Sequence, residues 1–223
     1  MKIEKINPQI TQKFLKAIRG QKLVLKIVDG VKIRTCPGVF PPQSDFSRSS
    51  KKLHNILWNL KNKTILDIGT GTGIQAIHAA RVGAKKIIAT DISSKAVDCA
   101  RYNVELNGFG DKISVIKSDL FAKVPKIKFD VVIANLPIVD YPEKNIVGLA
   151  LYDNRFKIHK RFFYQVKKFL KRNGYMIFSH ANLQSDRDFD IIENLVSKEG
   201  LKIDRTIIKK DLGYVWKMYR VKV

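Results

Sequence analysis

Acidic residues are scarce in this chain of 223 residues: 20 Asp and Glu stand against 42 Lys and Arg, for a formal net charge of +22. The imbalance is uneven. Residues 1–62 carry 13 Lys/Arg against 3 Asp/Glu, residues 63–154 carry 12 against 10, and residues 155–223 carry 17 against 7. A nearly neutral middle between basic flanks points to a polyanionic partner, most simply RNA. The plainer alternative is lysine decorating solvated faces. Cysteine is also nearly missing. Cys36 and Cys99 have no metal-ligand spacing, and the four histidines (His54, His78, His159, His180) form no motif with them, so no metal site is expected. Both cysteines are expected to be reduced thiols, with the cytoplasm as the default location. No apolar run approaches a membrane-spanning length. The N-terminal Met-Lys-Ile-Glu-Lys-Ile-Asn-Pro lacks the apolar stretch of a signal peptide. Neither a repeat nor a low-complexity segment is present, and nothing speaks to oligomeric state.

Apolar residues make up 45% of the chain, enough for a sizeable core. The first part reads as a short helix over 8–19, with Pro8 in its first turn and Gly20 after its end. A hairpin follows around Asp29-Gly30, in the alternating run from Lys22 to Arg34. Prolines keep residues 36–43 irregular, and a helix is expected over about 46–60. Beyond that the pattern alternates. Strands are expected at 63–68, 86–91, 112–117, 129–134 and 175–180, and helices at 73–82, 94–107, 154–171 and 187–199. The long third helix is read as ending at Arg172-Asn173-Gly174. Two terminal strands, 202–209 and 214–222, meet at a turn near Asp211-Leu212-Gly213. Such alternation gives an α/β fold: a Rossmann-like, doubly wound, seven-stranded, mostly parallel sheet. The closing strand–turn–strand requires one antiparallel strand. Residues 1–45 form a small helix and hairpin extension, and 46–223 form the main domain.

The most informative stretch is Thr64-Ile-Leu-Asp-Ile-Gly-Thr-Gly-Thr-Gly73. A buried strand runs into alternating glycines and then a helix. The glycines let backbone approach a ligand that a Cβ would block, and the helix start offers unpaired N–H groups. Gly69, Thr70, Gly71 and Gly73 are therefore cofactor-binding candidates. An acid at the strand end, Asp67, suits a ligand carrying an ammonium group, which favours S-adenosylmethionine over NAD. The NAD alternative keeps a foothold, because Gly71-Thr-Gly73-Ile-Gln-Ala76 fits G-x-G-x-x-A and Asp91 sits where a ribose-binding acid belongs. A bare strand-to-helix turn would also use such glycines.

Later strand ends add to this. Asp91 closes the second strand and can accept from both ribose hydroxyls, with Ile92 against an adenine face. Ser118-Asp119-Leu120 follows the third strand; Asp119 can accept from the adenine amino group and Leu120 can supply a backbone N–H. Helix capping and turn formation explain either acid singly, but acids at three successive strand ends converge on one crevice. The fourth strand runs into Asn135-Leu136-Pro137-Ile138. An amide oxygen and the Leu136 carbonyl, held by Pro137, are two acceptors suited to an amino group. They would aim its lone pair and stabilise positive charge developing on nitrogen. NAD chemistry explains neither Asp67 nor this loop.

These residues resemble class I S-adenosylmethionine-dependent methyltransferases over about 63–180. The loop after the fourth strand resembles the Asn-Pro-Pro-Tyr motif of N-methyltransferases acting on exocyclic amines or glutamine amides. Pro37-Gly-Val-Phe-Pro-Pro-Gln-Ser-Asp45 is similar to the segment before the first motif in the methyltransferase small domain group. That group includes ribosomal RNA guanine-N2 enzymes and release-factor glutamine enzymes. The resemblance implies catalytic roles for Asn135, Leu136 and Pro137, and adds Phe40 and Asp45 near the cofactor. Gly83-Ala84 and the Asn103…Asn107-Gly108 pattern also occur in ribosomal-protein lysine methyltransferases. Leu136 replaces the first proline of the motif and Ile138 its aromatic, which weakens base stacking unless Tyr141 substitutes. The expected function is N-methylation of an RNA exocyclic amine, on rRNA or tRNA. The alternative is a protein glutamine or lysine methyltransferase with a ribosome-associated substrate, and the lesser alternative is a non-catalytic RNA-binding protein with this fold. Sheet packing and core roles are expected for Phe162, Phe163, Trp216 and Tyr219, and a structural role for His180.

Overall fold

The structure is a computed structural model that describes residues 8–42, 49–54, 56, 59–211 and 213–223. Asp45 and residues 46–48, 55, 57 and 58 of the expected helix over 46–60 lie outside the described residues; the helix that is described, α2, spans only Ser49–His54, and Asn59, with φ of +63°, is not helical, so the expected end near 60 is too late. A seven-stranded sheet forms the frame. Its strands are β3 (Thr64–Ile68), β4 (Lys86–Asp91), β5 (Ile113–Lys117), β6 (Phe129–Ala134), β7 (Leu170–Ala181), β8 (Lys202–Asp211) and β9 (Tyr214–Lys222), ordered β5-β4-β3-β6-β7-β9-β8. β9 pairs antiparallel with both β7 and β8, and the other pairings are parallel. The one antiparallel strand expected from the sequence is therefore β9, set inside the edge.

Period-2 alternation sorts the strand residues onto two faces. Ile65, Ile133 and Ile177 join a core with α1 (Pro8–Arg19) and α3 (Ile74–Arg81) through Leu15, Ile18, Ile74 and Ile77. Leu66, Val132, Met176 and Phe178 face the other way, onto Phe162, Phe163 and Val166 of α5 (Lys157–Val166) and Ile192 and Val196 of α6 (Asp188–Lys198). Phe162 and Phe163 are thus core residues, as read from the sequence.

The hairpin, β1 (Leu25–Val28) and β2 (Val31–Arg34), is fixed by α4 (Ser94–Leu106). Asn103 and Asn107, one helical turn apart, bond the β2 backbone like a neighbouring strand. Asn103 Oδ1 accepts from the Arg34 amide at 2.8 Å and its Nδ2 donates to the Arg34 carbonyl at 3.1 Å. Asn107 does the same at Lys32, at 3.1 and 2.7 Å. Across the hairpin turn, Asp29 pairs with His54 at 3.0 Å, and His54 stacks on His78 of α3 at 4.1 Å between ring centroids.

Two expectations need correction. Cys36 and Cys99 are not reduced thiols: they form a disulfide, with Cα atoms 6.1 Å apart. Their separation of 63 residues hid the pairing, because β2 meets α4 only in the folded chain. The basis for a cytoplasmic default drawn from reduced cysteine goes with it. The long helix is also shorter than expected. α5 ends at Val166, a single 3-10 turn covers Lys167–Phe169, and β7 begins at Leu170. Register jumps from Phe129↔Leu170 to Val131↔Tyr175, so Arg172-Asn173-Gly174 form an irregular bulge in the strand and not a helix cap. A Cβ on Gly174 would stand 2.9 Å from the Phe129 carbonyl oxygen, which explains the glycine.

Candidate active site

The glycine loop opens into a cleft of about 430 Å³ above the carboxyl ends of the parallel strands, the crevice position expected for this sheet type. Of the residues singled out from the sequence, Gly69, Thr70, Gly71, Asp91, Ile92, Asp119, Leu120, Asn135, Leu136, Pro137 and Phe40 line it. The glycines divide their work. Gly69 and Gly71 have φ of +70° and +57°, and a Cβ on either would meet nothing within 4 Å. Their bare backbone faces open space, a cradle that side chains would fill. Gly73 serves packing instead: a Cβ there would stand 3.2 Å from Ala100 of α4. It does not line the cleft.

Asp67 is likewise absent from the cleft wall, against the expectation of an ammonium partner. Alternation puts its side chain on the Ile65 face, beneath the first turn of α3. There its Oδ2 accepts from Thr70 Oγ1 at 2.6 Å, and the Ala76 amide also bonds it. Only 1% of the residue is exposed, and burial pushes the carboxyl up to about 7. Asp67 shapes the loop from below.

Asp91 reaches the cleft. Its Oδ2 accepts from the Gly71 amide and its Oδ1 from the Ser93 amide, both at 2.9 Å. Burial raises its pKa, while the amides of Ser93, Gly71 and Ile92 work against the rise. A carboxylate has about four lone-pair sites, so acceptor capacity remains for a ligand diol. Asp119 pairs with Arg161 of α5 at 2.8 Å. Arg161 also lines the cleft and carried no local signal in the sequence.

At the tip of β6 the Asn135 amide is held at both ends. Ser179 Oγ of β7 donates to Oδ1 at 2.9 Å, and Nδ2 donates to Ser49 Oγ of α2 at 3.0 Å. The following backbone is braced by a neighbouring turn, where the Ile138 and Val139 amides donate to the Leu151 carbonyl at 3.1 and 3.0 Å. Asp153, also in the wall, accepts from the Ile158 and His159 amides and from His159 Nδ1. Tyr141 does not take the missing aromatic's place: it packs on Tyr152, 5.1 Å between centroids, away from the cleft. Trp216 lines the cleft beneath Lys52, whose ammonium lies 4.8 Å from its ring. His180 is fully buried among His159, Phe156 and Phe189, with no hydrogen bond to either ring nitrogen among the described residues.

Among the described residues no cluster of His, Cys, Asp or Glu could hold a metal, and no helix is long and apolar enough to cross a membrane. The crevice, the bare glycine cradle and the acids at neighbouring strand ends define the class of nucleotide-binding α/β proteins, with the Asn135 amide in the same cleft wall. Comparison with known proteins makes that class specific. The family described as "Ribosomal protein L11 methyltransferase (PrmA)" matches residues 51–140. A Methanocaldococcus jannaschii protein described as "Putative protein N5-glutamine methyltransferase" is 34% identical over 168 residues, covering 72% of this chain and 81% of that one. The ribosomal protein L11 methyltransferase of Bacillus pumilus is 33% identical over 152 residues, covering 64% of this chain and only 43% of its own length. The crystal structure of ribosomal protein L11 methylase from Lactobacillus delbrueckii subsp. bulgaricus superposes with a TM-score of 0.59 at 28% identity, covering 77% of this chain and 75% of that one. The chain belongs to the class I S-adenosylmethionine-dependent methyltransferases, in the small-domain N-methyltransferase group.

Proposed function

We propose that this enzyme methylates the side-chain amide nitrogen of a glutamine in a protein substrate that is met in the company of RNA. The observation that carries this reading is the Asn135–Leu136 acceptor pair followed by aliphatic Ile138, with Tyr141 packed on Tyr152 and not in the place of the motif's aromatic. An amide needs orientation more than a stacking platform. Asn135 Oδ1 and the Leu136 carbonyl would take its two hydrogens and direct the nitrogen lone pair. S-adenosylmethionine supplies an electrophilic methyl carbon on sulfur. Positive charge developing on that nitrogen would be stabilised by Asn135 Oδ1 and the Leu136 carbonyl, and the proton lost from nitrogen would pass to water.

Lysine fits less well, because its ammonium must first lose a proton. Two of the four carboxylates of the cleft wall are engaged, Asp119 by Arg161 and Asp153 by three N–H groups, and Asp91 belongs to the cofactor side. The bare glycine cradle and Asp91 support placing the cofactor over Gly69–Gly71.

A basic surface supports the RNA association. Residues 154–185 hold eight Lys/Arg and no Asp/Glu. Lys157, Lys160, Arg161, Tyr164 and Lys168 are exposed along α5 and its 3-10 extension, with the Lys168 ammonium 5.4 Å from the Tyr164 ring centroid. Cations with one exposed ring suit a single-stranded segment. A ribosome-associated substrate also accords with a cytoplasmic location. An RNA exocyclic amine is the second reading, and the same surface favours it.

The test is transfer of labelled methyl from S-adenosylmethionine into a cell extract, followed by separate digestion with protease and RNase. Label released by protease, and recovered as volatile methylamine after acid hydrolysis, is the expected result. Acid-stable label on lysine, or label released by RNase, would overturn the glutamine assignment.

A further inference from the structure

With Asp67 turned under α3, the acceptor that the sequence offers for a cofactor ammonium is spent on Thr70 and Ala76. The cleft wall contains another residue with a side-chain acceptor. Gln75, the second residue of α3, is 3% exposed and lines the cleft. Around it Ile74, Ala76, Ile77, Ala79 and Ala80 are apolar and buried, so Gln75 is the polar exception among the buried residues of the helix.

Its orientation is determined. The side-chain nitrogen donates to the Ser50 carbonyl at 3.1 Å. A carbonyl only accepts, so the amide cannot be turned round without losing that bond and facing oxygen against oxygen. The other end is then necessarily Oε1, which is buried and has no partner among the described residues. An unsatisfied buried acceptor destabilises the fold, and one kept beside a binding cleft implies a donor that arrives with the ligand.

Topology says which part of the ligand that is. Asp91 and Asp119 follow β4 and β5, on one side of β3, and Asn135 follows β6 on the other. A nucleoside held towards β4 and β5 leaves its amino-acid arm over β3 and the start of α3, where Gln75 stands. α2 touches both groups: the Ser50 carbonyl holds Gln75 and the adjacent Ser49 holds Asn135.

We propose that Gln75 Oε1 accepts a hydrogen bond from the α-ammonium of the cofactor's methionyl arm, and that this bond lets the site distinguish the whole cofactor from its nucleoside fragment. The proposal rests on the cleft being the cofactor site. Its test is calorimetric binding of three ligands to wild type and to Gln75→Met: S-adenosylhomocysteine, its analogue lacking only the amino group, and 5′-methylthioadenosine, which lacks the amino-acid end. Wild type should bind S-adenosylhomocysteine about 10-fold more tightly than the desamino analogue. Gln75→Met should bind those two alike and keep wild-type affinity for 5′-methylthioadenosine, which also reports that the variant is folded. Should Gln75→Met fail to fold, Gln75→Asn, whose shorter amide cannot reach, replaces it with the same expectations. Equal losses for all three ligands would overturn the proposal in favour of a packing role. Unchanged S-adenosylhomocysteine affinity with lost turnover would overturn it too, by assigning the acceptor to the methyl-accepting substrate. If wild type binds none of the three ligands, the cofactor reading of the cleft itself fails. If wild type binds all three and only the discrimination is missing, the Gln75 proposal alone fails.

Discussion

Ser179 Oγ donates a hydrogen bond to Asn135 Oδ1 at 2.9 Å, joining adjacent strands β7 and β6 at the tip of the sheet. Ser179 is fully buried, so its hydroxyl fixes the Asn135 amide while leaving Oδ1 a second lone pair. Ser179→Ala should lower kcat about 10-fold with little change in cofactor affinity or substrate KM, since geometry is lost and binding area is not. Steady-state kinetics with parallel cofactor titration checks this, and Ser179→Cys should recover part of the loss. An effect confined to KM would contradict the positioning role.

Asp67 gives a second expectation. As a support beneath the loop, it needs to accept from Thr70 and the Ala76 amide, and an amide oxygen can do much of that. Asp67→Asn should weaken S-adenosylmethionine binding by less than about 5-fold. A loss of 100-fold or more, on the order of 3 kcal/mol, would mean that the carboxylate charge itself meets the ligand.

Asn103 is fully buried and ties three parts of the molecule: its Nδ2 donates to the carbonyls of Arg34 and Thr72, and its Oδ1 accepts from the Arg34 amide. Asn103→Ala leaves those backbone groups without partners and should cost about 2–4 kcal/mol in urea unfolding. Because Thr72 belongs to the cleft wall, cofactor affinity should fall in the same variant.

The Cys36–Cys99 bond closes a long loop and pins the segment containing Gly38, Val39, Phe40 and Pro42, which lines the cleft, to α4. Chain entropy sets its contribution at about 4 kcal/mol. Reduction with dithiothreitol, or the Cys36→Ser/Cys99→Ser pair, should lower the melting temperature by roughly 10 °C. Cofactor affinity should decline with it.

The stacked His54–His78 pair predicts acid sensitivity. Burial lowers both pKa values, that of His78 to about 4 from 6.5. Asp29 opposes the shift of both, Lys51 adds to that of His54 and Arg81 to that of His78. In the folded state the rings stay neutral where unfolded histidine would already be charged. Their contribution is therefore complete above about pH 6.5 and is lost as pH falls towards 4. Unfolding free energy should drop by on the order of 2 kcal/mol across that window, and His78→Leu should flatten the dependence.

The sequence by itself determined the order of strands and helices, the presence of one antiparallel strand, the glycine loop, and the acids and amide that end successive strands. These are local patterns: period-2 and period-3.6 hydrophobicity, glycine where backbone must be bare, and polar residues where strands end at the crevice. It also determined the basic flanks, since charge needs no fold to be counted. Only the tertiary structure decided which groups are already satisfied. Asp67 was visible as an acid, but its face and its bonds to Thr70 and Ala76 put it under the loop. Gln75 read as one more helix residue until the Ser50 carbonyl fixed its orientation. Ser49, Ser179, Arg161 and the Cys36–Cys99 pair are far in sequence from what they touch, and no local pattern encodes those contacts. Hydrogen-bond satisfaction is a property of neighbours, and folding alone chooses the neighbours.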